Sequence, residues 1–199
     1  MRIGLFGGAF NPPHVGHLVC AQEGHAQLDL DVVVWVPVGQ APHREIPQDP
    51  GPEVRFQMCD YATAADERFG VSRIEIDRDG PSYTVDTLRE LRERSPGDEL
   101  VLILGSDQAA ALPAWHEPGE VMRLAAIAVA ERAGTDRARV EDAIGGQVDL
   151  TFFEMPRIDV SSTMVRERAA SGRPIRYLVP DKVANFIGAQ SLYGASVPT

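Results

Sequence analysis

Cysteine is scarce in this chain: only Cys20 and Cys59 occur, far apart and in stretches with helical spacing. That spacing excludes a disulfide framework and a cysteine-rich metal site, and leaves two reduced, buried thiols as the expectation. No apolar run approaches the ~20 residues that a membrane helix needs. The start Met1-Arg2 leads straight into a strand-like segment, with no cleavable leader of the secretory kind. A soluble, cytoplasmic protein without a membrane partner is therefore expected. Basic charge is missing too. At a formal net charge of −10 the surface is unsuited to coating nucleic acid, because neutralising phosphates takes a basic face. A small anionic substrate remains compatible, since it asks only for cations and amides gathered in one cleft. Ser-His-Asp, Cys-His and zinc-ligand spacings are all absent, and Glu23 and Asp60 read as solvated charges on helices. Covalent catalysis and a protein-bound metal are not expected.

What is present suits one α/β domain spanning 1–199. A length of 199 residues is enough for one proper core and too short for two average domains. Apolar, β-branched runs recur at 3–6, 32–36, 71–76, 100–104, 126–129 and 150–153, with helical spacing between most of them. Such alternation predicts a Rossmann-like, three-layer α/β/α fold with a mostly parallel sheet, and places ligands outside the carboxyl ends of the strands. Segment 38–53, with four prolines and no periodicity, reads as a long mobile loop over that site. The chain closes with a helical segment at about 160–190. Ser161-Ser162-Thr163 marks one helix start, and a second helix is expected over 181–188, with Val183, Phe186 and Ile187 facing the core and the tail folding back on the sheet edge.

The chemistry concentrates in the stretch Gly7-Gly8-Ala9-Phe10-Asn11-Pro12-Pro13-His14-Val15-Gly16-His17, which follows the first strand and opens a helix. Glycines let backbone N–H groups approach a ligand, and a helix start adds partial positive charge, so the loop is a candidate phosphate cradle. His14 and His17 add donors aimed at the same oxygens, and Gly16 removes bulk between the rings. A second candidate anion site combines Ser161, Ser162 and Thr163 at a helix start with Arg166 about one turn on. On composition alone, that block reads as a simple N-cap; beside the glycine loop, it reads as an anion site. Three further blocks follow strands or open helices: Pro37-Val38-Gly39-Gln40-Ala41-Pro42-His43-Arg44, Gly80-Pro81-Ser82-Tyr83-Thr84-Val85-Asp86-Thr87-Leu88, and Gly105-Ser106-Asp107 with Leu112-Pro113-Ala114-Trp115-His116. Taken locally, they also fit a solvated loop, a helix start, and an N-cap with a core tryptophan.

Together these blocks resemble the bacterial nicotinate-mononucleotide adenylyltransferases, members of the nucleotidylyltransferase superfamily with the His-x-Gly-His motif. The resemblance spans nearly the whole chain. It implies transfer of AMP from ATP to nicotinate mononucleotide, giving nicotinate adenine dinucleotide and pyrophosphate, with Mg²⁺ carried on the ATP phosphates. It assigns catalysis to His14, His17 and Arg166. ATP falls to Gly7, Gly8, Ala9, Phe10, His14, Gly16 and His17, with Gly105, Asp107, Arg132, Ser162, Thr163 and Arg166. The mononucleotide falls to Phe10, Asn11, Pro42, His43, Arg44, Ser82, Tyr83, Thr84, Val85 and Trp115, with amides at the 84–85 helix entrance taking the nicotinate carboxylate and Trp115 stacking on the pyridine ring. Four positions depart from the family pattern: Ala9 where many members carry a hydroxyl, Ala41 and Arg44 in the proline-rich block, and Ala133 in place of a proline. Arg44 keeps the charge of the usual lysine with a different geometry. A phosphopantetheine adenylyltransferase would share the glycine loop and the Ser-Ser-Thr tail but not the 82–88 and Trp115 blocks. A nucleotide sensor without turnover would not need His14, His17 and Arg166 intact. A homo-oligomer is compatible with the sequence, which does not set the oligomeric state.

Overall fold

The computed structural model describes residues 1–42, 45–131 and 137–195. Six strands, β1 (Arg2–Gly8), β2 (Val32–Pro37), β3 (Phe69–Val71), β4 (Glu99–Gly105), β5 (Ala126–Glu131) and β6 (Leu150–Glu154), form one sheet in the order β3-β2-β1-β4-β5-β6. Every neighbouring pair is parallel. This is the doubly wound order, with its switch point between β1 and β4, where a crevice opens at the strands' carboxyl ends. The Rossmann-like α/β expectation holds.

Alternation along β4 explains the layering. Leu100, Leu102 and Leu104 point to one face, where they pack with Val85 and Leu88 of α3 (Thr84–Arg94), Val121 of α5 (Pro118–Leu124), and Val140 and Ile144 of α6 (Arg137–Ile144). Val101 and Ile103 point the other way, to Cys20 and Ala21 of α1 (Val15–Gln27) and Cys59 of α2 (Pro52–Thr63). A strand buried on both faces needs an unbroken apolar run, which is what Leu100 to Leu104 supplies. Both cysteines are buried thiols outside any disulfide, and burial pushes the Cys59 thiol well up. No helix among the described residues is long and apolar enough to cross a membrane.

Three expectations need correction. The run 71–76 is not one strand: β3 ends at Val71, and the amides of Ile76 and Asp77 both bond the Arg73 carbonyl at 2.8 and 2.9 Å, closing a turn that drops Ile74 into the core. Ile74 and Ile76 gave the turn a strand's apolar spacing, while β3 lies at the sheet edge and needs few residues. The loop expected over 38–53 ends earlier, because Pro52 occupies the first turn of α2 behind Gly51 at φ 99°. The tail helices α7 (Ser162–Ala170) and α8 (Asp181–Ala189) pack on α2 rather than on the sheet edge itself. Val165, Ala169, Val183 and Ile187 close around Met58, and Phe186 meets Tyr61 edge to face at 5.3 Å.

Candidate active site

A cavity of about 380 Å³ opens at the carboxyl ends of the strands. Its lining brings together much of what the sequence singled out: Gly7, Gly8, Ala9, His14, Gly16 and His17 from the first loop, Pro42 from the second, Ser82, Tyr83 and Thr84 at the start of α3, then Gly105 and Trp115.

The first loop turns sharply at Phe10, whose φ is 47°, and at a cis Asn11-Pro12 bond, and α1 begins after His14 as N-cap. The two imidazoles pack against each other at a tilt of 34°, centroids 3.8 Å apart. That packing leaves little room at Gly16, where a Cβ would sit 3.0 Å from His14 Cε1 and push the ring aside. The backbone N–H of His14 donates to His17 Nδ1 at 3.1 Å. In the neutral ring this leaves the proton on Nε2, so His17 presents a donor from its other edge. Phe10 and Phe6 pack against that ring at 5.2 and 6.1 Å and fix its tilt. One α1 amide is already spoken for, because Val15 donates to the Leu178 carbonyl at 2.9 Å.

Other expected residues stand behind the cavity wall. Phe10 and Asn11 are buried, and Asn11 holds the loop in place: its Nδ2 donates to the Pro47 carbonyl at 2.8 Å, and its Oδ1 accepts from Tyr193 at 2.6 Å. Burial raises the Tyr193 hydroxyl above its ordinary pKa, so it stays a donor. From α7, Ser162 Oγ donates to the Pro12 carbonyl at 2.8 Å. The buried Arg166 donates to the Asn11 carbonyl at 2.7 Å, to Gln48 Oε1 at 3.2 Å and to Thr163 Oγ1 at 3.2 Å. Ser162 and Arg166 thus touch the phosphate loop from outside the lining residues, and Thr163 meets Arg166 behind it. Ser161 is the N-cap, accepting from the Met164 amide.

At the opposite end of the cavity, Tyr83 is the N-cap of α3 and no side chain caps the helix. Its carbonyl accepts from Asp86 and Thr87, so the Thr84 and Val85 amides have no intrahelical acceptor. Trp115, half-buried against the core, lines the same space. Val85 itself is core. Asp107 is neither N-cap nor lining: Gly105 caps α4 (Ser106–Ala111), and the exposed Asp107 carboxylate lies 3.6 Å from Arg139. His43, Arg44 and Arg132, and the departure at Ala133, fall outside the described residues.

Four residues escaped the sequence reading. His116 lines the cavity, its ring 4.3 Å from Tyr83 and its Nε2 3.4 Å from Glu117. Gln108 lines it where Asp107 had been expected. Glu75, in the turn after β3, is buried beside it and accepts from Thr87 Oγ1 at 2.9 Å; burial raises its carboxyl, opposed by that bond and by Arg78 and Arg55. Arg55, fully buried in α2, is the fourth.

Residues 5–168 match the family model described as cytidylyltransferase-like. The chain is 43% identical over 193 residues to a Corynebacterium kroppenstedtii protein named "Probable nicotinate-nucleotide adenylyltransferase", covering 96% of this chain and 90% of that one. A protein of the same name from Shouchella clausii is 40% identical, with 97% of each chain covered. Among solved structures, Plasmodium falciparum nicotinic acid mononucleotide adenylyltransferase complexed with APC superposes with a TM-score of 0.80 over 98% of both chains at 16% identity, a likeness of fold. A sheet in doubly wound order, a histidine pair folded over Gly16, and relatives this similar along almost their whole length lead to one assignment: the chain belongs to the cytidylyltransferase-like family and, within it, to the nicotinate-nucleotide adenylyltransferases.

Proposed function

We propose that this enzyme transfers AMP from ATP to nicotinate mononucleotide, the 5′-phosphate oxygen attacking the α-phosphorus while the bond to pyrophosphate breaks. The observation that carries this reading is one continuous cavity with the His14–His17 loop at one end and the open α3 start, Trp115 and His116 at the other. Such a space takes two anionic substrates side by side and lets their phosphates meet. The substrate phosphate is already an adequate nucleophile, so the protein's work is positioning and charge stabilisation.

In this reading His17 donates from Nε2 to phosphate oxygens, with His14 stacked on it and the Gly16 amide at the helix start. Arg166 has five N–H donors, and its three bonds to Asn11, Gln48 and Thr163 leave two for the leaving pyrophosphate while it braces the loop. Asp107, exposed on α4, would meet the nucleotide only at the cavity rim. Transfer from a nucleoside triphosphate uses a divalent cation. The donor set here is imidazole, hydroxyl and amide, and among the described residues no group of three or more His, Cys, Asp or Glu could hold a metal. These residues fit Mg²⁺ riding on the triphosphate, where it lends charge to the transferring and leaving groups.

The Thr84 and Val85 amides are assigned to the nicotinate carboxylate, which gains from the helix-start field, while a carboxamide would set its own donors against them. The ring lies on Trp115. Two buried thiols agree with a reducing, cytoplasmic setting. Pyrophosphate release with ATP and each of nicotinate mononucleotide, nicotinamide mononucleotide and phosphopantetheine tests the reading. The acid mononucleotide is expected to give the highest kcat/KM; equal efficiency for the amide removes the carboxylate assignment, and turnover of phosphopantetheine alone removes the substrate.

A further inference from the structure

Arg55 sits in the first turns of α2 with no exposed surface, and its guanidinium is spent on three backbone carbonyls and the Asp49 carboxylate. Nη1 donates to the carbonyls of Val38 at 2.6 Å and Ala9 at 3.3 Å, Nη2 to Gly39 at 3.1 Å, and Nε to Asp49 Oδ1 at 2.8 Å. Ala9 belongs to the phosphate loop. Val38 and Gly39 lead to the pyridine end, since Gln40 exchanges bonds with Ser82: its amide donates to Oγ at 3.2 Å, and the Ser82 amide donates to its carbonyl at 2.8 Å. The path is tight at Gly39, where a Cβ would lie 2.1 Å from the Glu75 carbonyl oxygen. Burying a cation costs several kcal/mol per ion, and an apolar side chain would fill the same space at no loss of packing. What an apolar side chain would not supply is donors for three carbonyls on two different loops.

We infer that Arg55 is a positioning residue that sets the distance between the two substrate subsites, acting through the backbone of Ala9 and of Val38-Gly39. Each substrate binds its own subsite without Arg55, but the attacking oxygen and the α-phosphorus then meet out of line. The inference rests on the adenylyl-transfer reading, and it gives a signature that ordinary loss of stability does not.

The test compares Arg55→Lys and Asp49→Asn with the parent enzyme. Lysine keeps the charge but loses the planar fork, so it reaches fewer of the four acceptors. In Arg55→Lys, kcat should fall roughly thirtyfold to a hundredfold, while calorimetric affinities for a non-hydrolysable ATP analogue and for nicotinate mononucleotide, each measured alone, stay within about threefold at one site per chain. Asp49→Asn keeps an acceptor for Nε and should show the same pattern at several-fold. Hydrogen exchange gives a readout independent of turnover: the Val38 and Gln40 amides, which donate to the Gly8 carbonyl and to Ser82, should exchange at least tenfold faster in Arg55→Lys, with β4 unchanged. Parental kcat, unchanged exchange at 38 and 40, a loss confined to one substrate's KM, or a fall in kcat that tracks a reduced binding stoichiometry would each overturn the inference. An inactive parent enzyme would instead strike the adenylyl-transfer reading, leaving the exchange result to decide the role of Arg55.

Discussion

The phosphate end of the cavity draws its lining residues 7–9, 14, 16 and 17 from one stretch of chain, whereas the pyridine end gathers Glu75 from the turn after β3, Ser82 to Thr84 from the start of α3, and Trp115 and His116 from beyond α4. The difference lies in how each end is held. The phosphate loop is short and sharply turned, and its backbone is held by atoms distant in sequence: Ser162 on the Pro12 carbonyl, Arg166 on the Asn11 carbonyl, Tyr193 on the Asn11 side chain. Its local motif supplies the chemistry and the tail supplies the rigidity. The pyridine end is held by the sheet, with α3 and the Trp115 segment packed on the β4 face, and Ser82 ties it through Gln40 to the 38–39 backbone that Arg55 holds. One end should therefore lose rate when its donors or braces are cut, and the other should lose affinity.

The sharpest way to test that contrast is His17→Ala. Removing a preorganised donor to developing phosphate charge should lower kcat by roughly 10²–10³, or about 3 kcal/mol, with nicotinate mononucleotide affinity unchanged in a folded variant. Steady-state kinetics with direct mononucleotide binding decides it; a KM effect without a kcat effect would make the two ends alike.

Arg166→Ala probes the brace. The loss includes a charge-assisted contact to pyrophosphate and a buried donor to the Asn11 carbonyl, so kcat/KM for ATP should fall by about 2 kcal/mol or more. Thermal stability should fall with it, because Asn11 and Gln48 are left with unmet acceptors. A variant with normal stability and impaired ATP use would make Arg166 a ligand only, and one with the reverse would make it a brace only. At the other end, Trp115→Ala should raise KM for the mononucleotide by the equivalent of roughly 1–3 kcal/mol of lost aromatic burial while KM for ATP holds. Equal losses for both substrates would return Trp115 to core packing.

The same contrast governs what could be read from the sequence. Strands β1, β2, β4 and β5 were legible because burial on both faces demands continuous apolar runs, edge strand β6 because Leu150, Phe152 and Phe153 still pack on the core, and the phosphate loop because its chemistry is local. The 71–76 run misled since a buried turn anchored by Ile74 carries the same apolar spacing as a strand. Asp107 lies exposed in the first turn of α4, off the cavity lining, a projection that a helix start after β4 does not specify. Glu75 and His116 became site residues only through the fold. Arg55 did leave a trace: with Met58 and Cys59 it holds positions i, i+3 and i+4, an arginine on the buried stripe of α2. A cation on an apolar stripe points to buried acceptors, though not to which loops own them.

The smallest expected effect concerns Glu75, the buried carboxyl of the pyridine end. Burial raises its pKa above the ordinary glutamate value, with the Thr87 hydroxyl and the Arg78 and Arg55 guanidiniums opposing. A raised carboxyl means that folding favours the protonated form. Its contribution to stability is therefore fully present below the unfolded-state pKa and is lost as pH rises through the folded-state value. Glu75→Gln keeps an acceptor for Thr87 Oγ1 and removes the ionisation. Urea unfolding of both proteins between pH 4 and 8 should show the variant gaining on the parent as pH rises, with the change confined to the window above the usual carboxylate range. A difference that is flat with pH would mean that the cavity keeps Glu75 solvated enough to ionise freely. An opposite slope would mean that Arg55 and Arg78 outweigh burial, making this carboxylate an ion-pair partner of the positioning arginine.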